Sequence, residues 1–146
     1  MYKMHVRPHL EYCVQVWNPV YSGDSNLMEK VQNRFTRLLR HGSVMTPEER
    51  NRCLGITDHK TRRLRGDLIY IFKMFDERSL FVPTRETRTR GHSKKLCIER
   101  SNGNIRKHSF ANHHLQIWND LPEDIVSSPN LNIIKSNLDR YLETIV

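Results

Sequence analysis

The sequence predicts a mainly α fold, a small helical bundle of about six helices with at most one short β-hairpin. Apolar residues recur at helical spacing in most stretches of the chain, and capping residues stand at the ends of those stretches. Strand-like alternation occurs around only one turn, Ser101-Asn102-Gly103-Asn104.

A first helix is expected from Pro8 to Trp17, because proline is tolerated in a first turn and Asn18-Pro19 terminates the run. A second is expected between Asp24 as N-cap and Gly42 just past the C-terminus, with Leu27, Val31, Phe35 and Leu38 as its apolar face. Thr46-Pro47-Glu48-Glu49 is a helix start of the capping-box kind, and Gly55 stops that helix. Thr57 is expected to cap a fourth helix reaching about Glu77, with Leu64, Leu68, Ile71, Phe72 and Phe75 on its buried face. Gly66 weakens that helix, and close packing is the expected reason for it. Strands near Lys95–Arg100 and Ile105–Ser109 would make the hairpin. Phe110, His114, Ile117, Trp118 and Leu121 mark a fifth helix ended by Pro122. Ser128 and Pro129 are expected to cap the last, with Leu131, Ile134, Leu138, Tyr141, Leu142 and Ile145 on one face.

These elements divide the chain into a helical part over residues 1–83, a basic loop or hairpin over 84–109 and a helical tail over 110–146. With 146 residues and a hydrophobic fraction of 37%, a core can form but not a large one. No apolar run approaches the ~18 residues that a membrane span requires, so no membrane partner is expected. Cys13, Cys53 and Cys97 are odd in number and far apart. That argues for a reducing, intracellular location, nucleus or cytoplasm, rather than a disulfide framework.

The net charge is +8, and it is unevenly placed. Residues 84–107 hold eight Lys or Arg against Glu86 and Glu99, while the stretch from Ser109 onward is net acidic. Clustered positive charge attracts phosphate through counterion release. The candidate nucleic-acid-binding residues are Arg88, Arg90, Lys94 and Lys95 in the basic segment and Arg34, Arg37 and Arg40 on the second helix. Trp17 and Trp118 could stack on bases, but both sit on apolar stripes, where core packing is the stronger reading. No metal site is expected: there is no CxxC or HExxH, and His108, His113 and His114 have only Cys97 within reach. Glu48-Glu49 and Glu123-Asp124 stand at helix starts, where the dipole accounts for them. No catalytic residue, metal or cofactor is therefore assigned.

Four stretches occur in order: Val6-Arg7-Pro8-His9-Leu10-Glu11-Tyr12 with Val16-Trp17-Asn18-Pro19; Leu27 to Leu39; Arg63-Leu64-Arg65-Gly66-Asp67-Leu68 with Phe72-Lys73; and Thr89-Arg90-Gly91-His92 with Trp118-Asn119-Asp120-Leu121-Pro122. In this order and spacing the chain resembles the region downstream of the palm in LINE-type (non-long-terminal-repeat) retrotransposon reverse transcriptases of the jockey and chicken-repeat kind. The resemblance covers nearly the whole chain. It implies a thumb-like first part that holds template–primer nucleic acid. It also implies a parent polyprotein with RNA-directed DNA polymerase activity. The family's palm aspartates lie upstream of Val6, so the resemblance implies a non-catalytic fragment: a truncated element copy, a gene-model piece or a co-opted remnant. Expected partners are DNA or RNA, bound without sequence preference, and the rest of the polyprotein. The alternative is a structural or protein-interaction remnant, prone to self-association through an exposed apolar face.

Overall fold

The computed structural model describes residues 2–17, 19, 21–39, 45–76, 83, 91–98, 100, 102–103 and 109–145. The fold is mainly α. Eight α-helices occur among the described residues: α1 Arg7–Glu11, α2 Val14–Trp17, α3 Ser22–Leu39, α4 Pro47–Leu54, α5 His59–Asp76, α6 Phe110–Asn119, α7 Glu123–Val126 and α8 Leu131–Ile145. A wide π-helical segment, Tyr2–Val6, leads into α1. The chain forms two compact units, Met1–Arg63 and Leu64–Val146.

Two helices more than expected arise from two breaks. The expected helix from Pro8 to Trp17 is interrupted at Tyr12-Cys13, where Cys13 takes a left-handed φ of 52° and starts a new turn. The single turn α7 separates the last two long helices.

Capping explains most other boundaries. Thr46 and Glu49 form the expected capping box, with Pro47 in the first turn, and Gly55 closes α4 at φ 58°. Asp24 lies inside the first turn of α3 rather than ahead of it, where its charge still complements the dipole. Gly42 lies outside the described residues. The cap of α5 is Asp58 and not Thr57: Asp58 Oδ2 accepts from the Thr61 amide at 2.8 Å. Asn130, not Ser128 or Pro129, caps α8, accepting from the amides of Asn132 (3.1 Å) and Ile133 (3.0 Å).

In the first unit the interior is largely polar. Gln32 and Thr36 of α3 are completely buried, alongside Tyr2, Val14, Arg50, His59 and Arg63. Gln32 ties three elements together. Its Oε1 accepts from the Tyr2 hydroxyl (3.0 Å) and Arg62 Nη2 (2.8 Å), and its Nε2 donates to the Thr57 carbonyl (3.2 Å). Glu11 accepts from Arg7 Nε at 2.9 Å and Arg62 Nε at 2.7 Å, which fixes the end of α1 against α5. Tyr2 also stacks on Phe35, ring centroids 4.8 Å apart.

The expected apolar face of α3 is therefore corrected. Leu27, Val31 and Leu38 are 57%, 42% and 80% exposed, while the glutamine and threonine on another face are the ones enclosed. Helical periodicity finds a stripe but does not say which stripe finds a partner. Trp17 is likewise exposed rather than packed in a core.

The second unit holds the apolar core. Leu68, Ile71 and Phe72 of α5 meet Leu115 and Trp118 of α6, Ile125 and Val126 of α7, and Ile134 and Leu138 of α8, with Leu96 from the connecting loop. Full burial of such side chains contributes about 1.5–3 kcal/mol each. The buried faces of α5 and α8 are those the periodicity predicts. Of the expected hairpin, Leu96 is bridged to Pro83 in an isolated antiparallel pair. Residues 104–108 lie outside the described residues, and Ser109 opens α6 as its N-cap.

Gly66 departs from the packing explanation. A Cβ built there meets nothing within 4 Å. Gly66→Ala should thus raise stability by about 0.5–1 kcal/mol, through propensity and a less flexible unfolded chain, as read from the urea midpoint. A second expectation concerns acid. His59 is completely buried, and neither ring nitrogen has a hydrogen-bond partner among the described residues. Burial, then the charges of Arg62 and Arg63, hold it below the usual histidine range. The unfolded chain then takes up the proton first. Stability is full above about pH 6.5 and falls as pH drops through the folded value. Thermal unfolding followed from about pH 8 to about pH 5 should show a steeper loss in the native chain than in His59→Gln.

Candidate nucleic-acid interface

The sequence-predicted basic residues fall in different units. Arg34 and Arg37 are exposed on α3, three residues apart, and neither has an ion pair or hydrogen bond among the described residues. Residues three apart on a helix are neighbours, so these two guanidinium groups share one side of it. Arg40, Arg88 and Arg90 lie outside the described residues. Lys94 and Lys95 are half-buried in the loop over residues 91–98 of the second unit.

That loop is fixed by α6. Leu96 and Asn119 exchange two hydrogen bonds of 2.9 Å, Leu96 N–H to Asn119 Oδ1 and Asn119 Nδ2 to the Leu96 carbonyl. Trp118 Nε1 donates to the Lys94 carbonyl at 3.0 Å, and His92 Nε2 lies 2.8 Å from the Trp118 carbonyl. Ser93 donates from its amide and its hydroxyl, each at 2.7 Å, to the carboxylate of Glu123 at the start of α7. Those two bonds hold the Glu123 carboxyl below its usual range. Gly91, at φ 137°, has a backbone that side chains disfavour, and a Cβ there would collide with the end of the Lys95 side chain.

The loop thus presents Lys94 in a defined position. Its ammonium stands 5.3 Å from the Phe72 ring centroid and 5.6 Å from that of Phe75. Beside it opens a cavity of about 470 Å³, walled by Phe72 and Lys73 of α5 and by the turn from Ser127 to Leu131. Lys73 shares this cavity with Lys94. Sequence reading did not single it out as a contact. Its one sequence signal is its place beside Phe72, the residue before it.

Arg63, Arg65, Asp67 and Trp118 of the same four stretches are engaged within the chain. Arg63 is buried and donates to Ser25 Oγ at 2.7 Å. Arg65 makes a two-pronged pair with Asp139, and Asp67 Oδ2 lies 3.0 Å from His114 Nε2 in a buried pair. Trp118 is completely buried and has no face for a base. The three cysteines are free and exposed. Among the described residues no cluster of three His, Cys, Asp or Glu side chains is placed to hold a metal ion. No described helix is long and apolar enough to cross a membrane.

Compared with protein-family models, curated proteins and solved structures, the chain matches none.

Asn119 is the most direct test of how the loop is held. Asn119→Ala removes both bonds to Leu96 and leaves its buried backbone groups unpaired, which should cost about 1–3 kcal/mol. Amide hydrogen exchange at Leu96 should accelerate, while exchange in the middle of α8 stays protected until global unfolding.

Proposed function

We propose that this chain is a non-catalytic, nucleic-acid-contacting part of a LINE-type retrotransposon reverse transcriptase, corresponding to the thumb and tail downstream of the palm. It binds DNA or RNA through phosphate contacts and without sequence preference. The observation that carries the reading is the concentration of six of the eight net positive charges in residues 84–107. It is supported by the guanidinium groups of Arg34 and Arg37, exposed and without a partner among the described residues, and by the held ammonium of Lys94. The family origin rests on the ordered set of four stretches. It gains support from the meeting of the two halves of the fourth, where His92 lies against Trp118, which gives their co-occurrence a physical reason.

One observation favours a second reading, a protein-interaction remnant without a nucleic-acid role. Tyr12, Val16, Tyr21, Leu27, Val31 and Leu38 of the first unit are all exposed. Such a surface suits the rest of a polyprotein or self-association.

Salt separates the two. Nucleic-acid affinity should fall by orders of magnitude between ~50 and ~200 mM salt if roughly six or more phosphates are contacted. Changing Arg88, Arg90, Lys94 and Lys95 together to Ala should flatten the salt slope by about one unit per lost contact. Self-association through the apolar surface would persist or strengthen with salt. Failure to bind single strands or duplex at low salt, measured by fluorescence anisotropy, leaves only the second reading.

A further inference from the structure

Among the described residues, the cavity beside Lys94 has a lining of one sign: two ammonium groups, Lys73 and Lys94, and no carboxylate. Neither lysine has an ion pair among the described residues. A lysine ordinarily keeps its flexible stem mobile and its head in water. Lys94 instead has its head held over the rings of Phe72 and Phe75, on a loop tied down through its own carbonyl by Trp118. The cost of ordering this cation is thus met before any anion arrives, which favours binding. Lys73 projects from α5, one residue past Phe72, so the same helix sets the spacing of both charges.

The remaining polar groups are complementary. Asn130 Oδ1 is occupied by the amides of Asn132 and Ile133, which leaves the Asn130 amide hydrogens as donors. Ser127 adds an exposed hydroxyl. The amides of Asn132, Ile133 and Ile134 are taken by Asn130 and are not called upon. Phe72, Pro129 and Leu131 give the cavity an apolar part. A volume of about 470 Å³ lies within the ordinary range for small-ligand sites, roughly 300–1,000 Å³.

We infer that this cavity is a seat for a phosphate ester, with the phosphate between Lys73 and Lys94 and the organic part against the apolar wall. The same chemistry is offered by a free nucleotide and by a strand of nucleic acid. The inference deepens the nucleic-acid reading, on which it rests for the strand as ligand, by giving one phosphate a defined place.

The test is a chemical-shift titration of the full chain at low salt with inorganic phosphate, adenosine monophosphate and adenosine. Both phosphates should move the amide signals of Lys94, Ser127, Asn130 and Leu131, with adenosine monophosphate the tighter and adenosine without effect. Lys73→Gln combined with Lys94→Gln should weaken adenosine monophosphate by roughly tenfold, two ion pairs' worth. Lys73→Gln alone, at an exposed position, should give a smaller loss with an unaltered spectrum elsewhere. Shifts confined to other residues, or equal binding of adenosine, would overturn the seat. Short oligothymidylates with and without a 5′-phosphate separate the sources. If only the phosphorylated strand shifts these amides, the cavity takes a strand end, and if both do, it takes an internal phosphate. Oligonucleotide binding that survives the double variant, without shifts at these amides, overturns the seat and leaves the broader reading standing. Adenosine monophosphate binding without any oligonucleotide binding upholds the seat and removes the strand reading.

Discussion

Trp118 is completely buried, and the groups around its indole are engaged with the loop that crosses it. The ring N–H holds the Lys94 carbonyl, the Trp118 carbonyl faces His92, and the next residue, Asn119, brackets Leu96 with a pair of hydrogen bonds. A buried indole N–H left without a partner costs about 1–3 kcal/mol. That requirement fixes the loop, and the loop in turn inserts Leu96 into the core and sets Lys94 against Phe72 and Phe75. The antiparallel pair of Leu96 with Pro83 and the Glu123–Ser93 contact belong to the same placement. The α6 end and the loop therefore act as one constrained piece, and the cavity is a consequence of it.

The first unit is organised by another constraint. Its buried centre is Gln32, whose two ends satisfy Tyr2, Arg62 and the Thr57 carbonyl. A buried amide with these partners cannot be exchanged for an apolar residue without leaving several groups unpaired. The polar centre also decides which face of α3 turns inward, and with that it leaves Leu27, Val31 and Leu38 to solvent.

This difference explains how far the sequence could be read. The apolar faces of α5 and α8, the capping box at Thr46 and the stop at Gly55 were all legible, because each depends on local chemistry or on a period that one core enforces. The inward face of α3 was not, because four apolar residues at helical spacing outvote a glutamine and a threonine in any periodicity argument. The caps Asp58 and Asn130 were missed by one or two positions, since Thr57 and Ser128 also carry a capping side-chain oxygen and only the fold chooses among neighbours. Of the candidate site, Arg34, Arg37 and Lys94 were legible as charge. The partnership of Lys94 with Lys73 was not, because it depends on the distance between a loop and a helix far apart in sequence. Likewise, nothing in their spacing tells that Asp67 and His114 pair in the interior.

The contrast between a polar interior and an apolar one has a thermodynamic consequence. Exposure of apolar surface is what gives unfolding its large positive heat capacity and most of its sensitivity to denaturant. Opening of the unit Leu64–Val146 releases a cluster that includes Trp118, Leu68, Ile71, Ile134 and Leu138, and carries both signatures. Opening of the unit Met1–Arg63 releases mainly Gln32, Thr36, Arg63 and His59. Opening confined to that first unit should accordingly depend less on temperature and, per residue, less on urea.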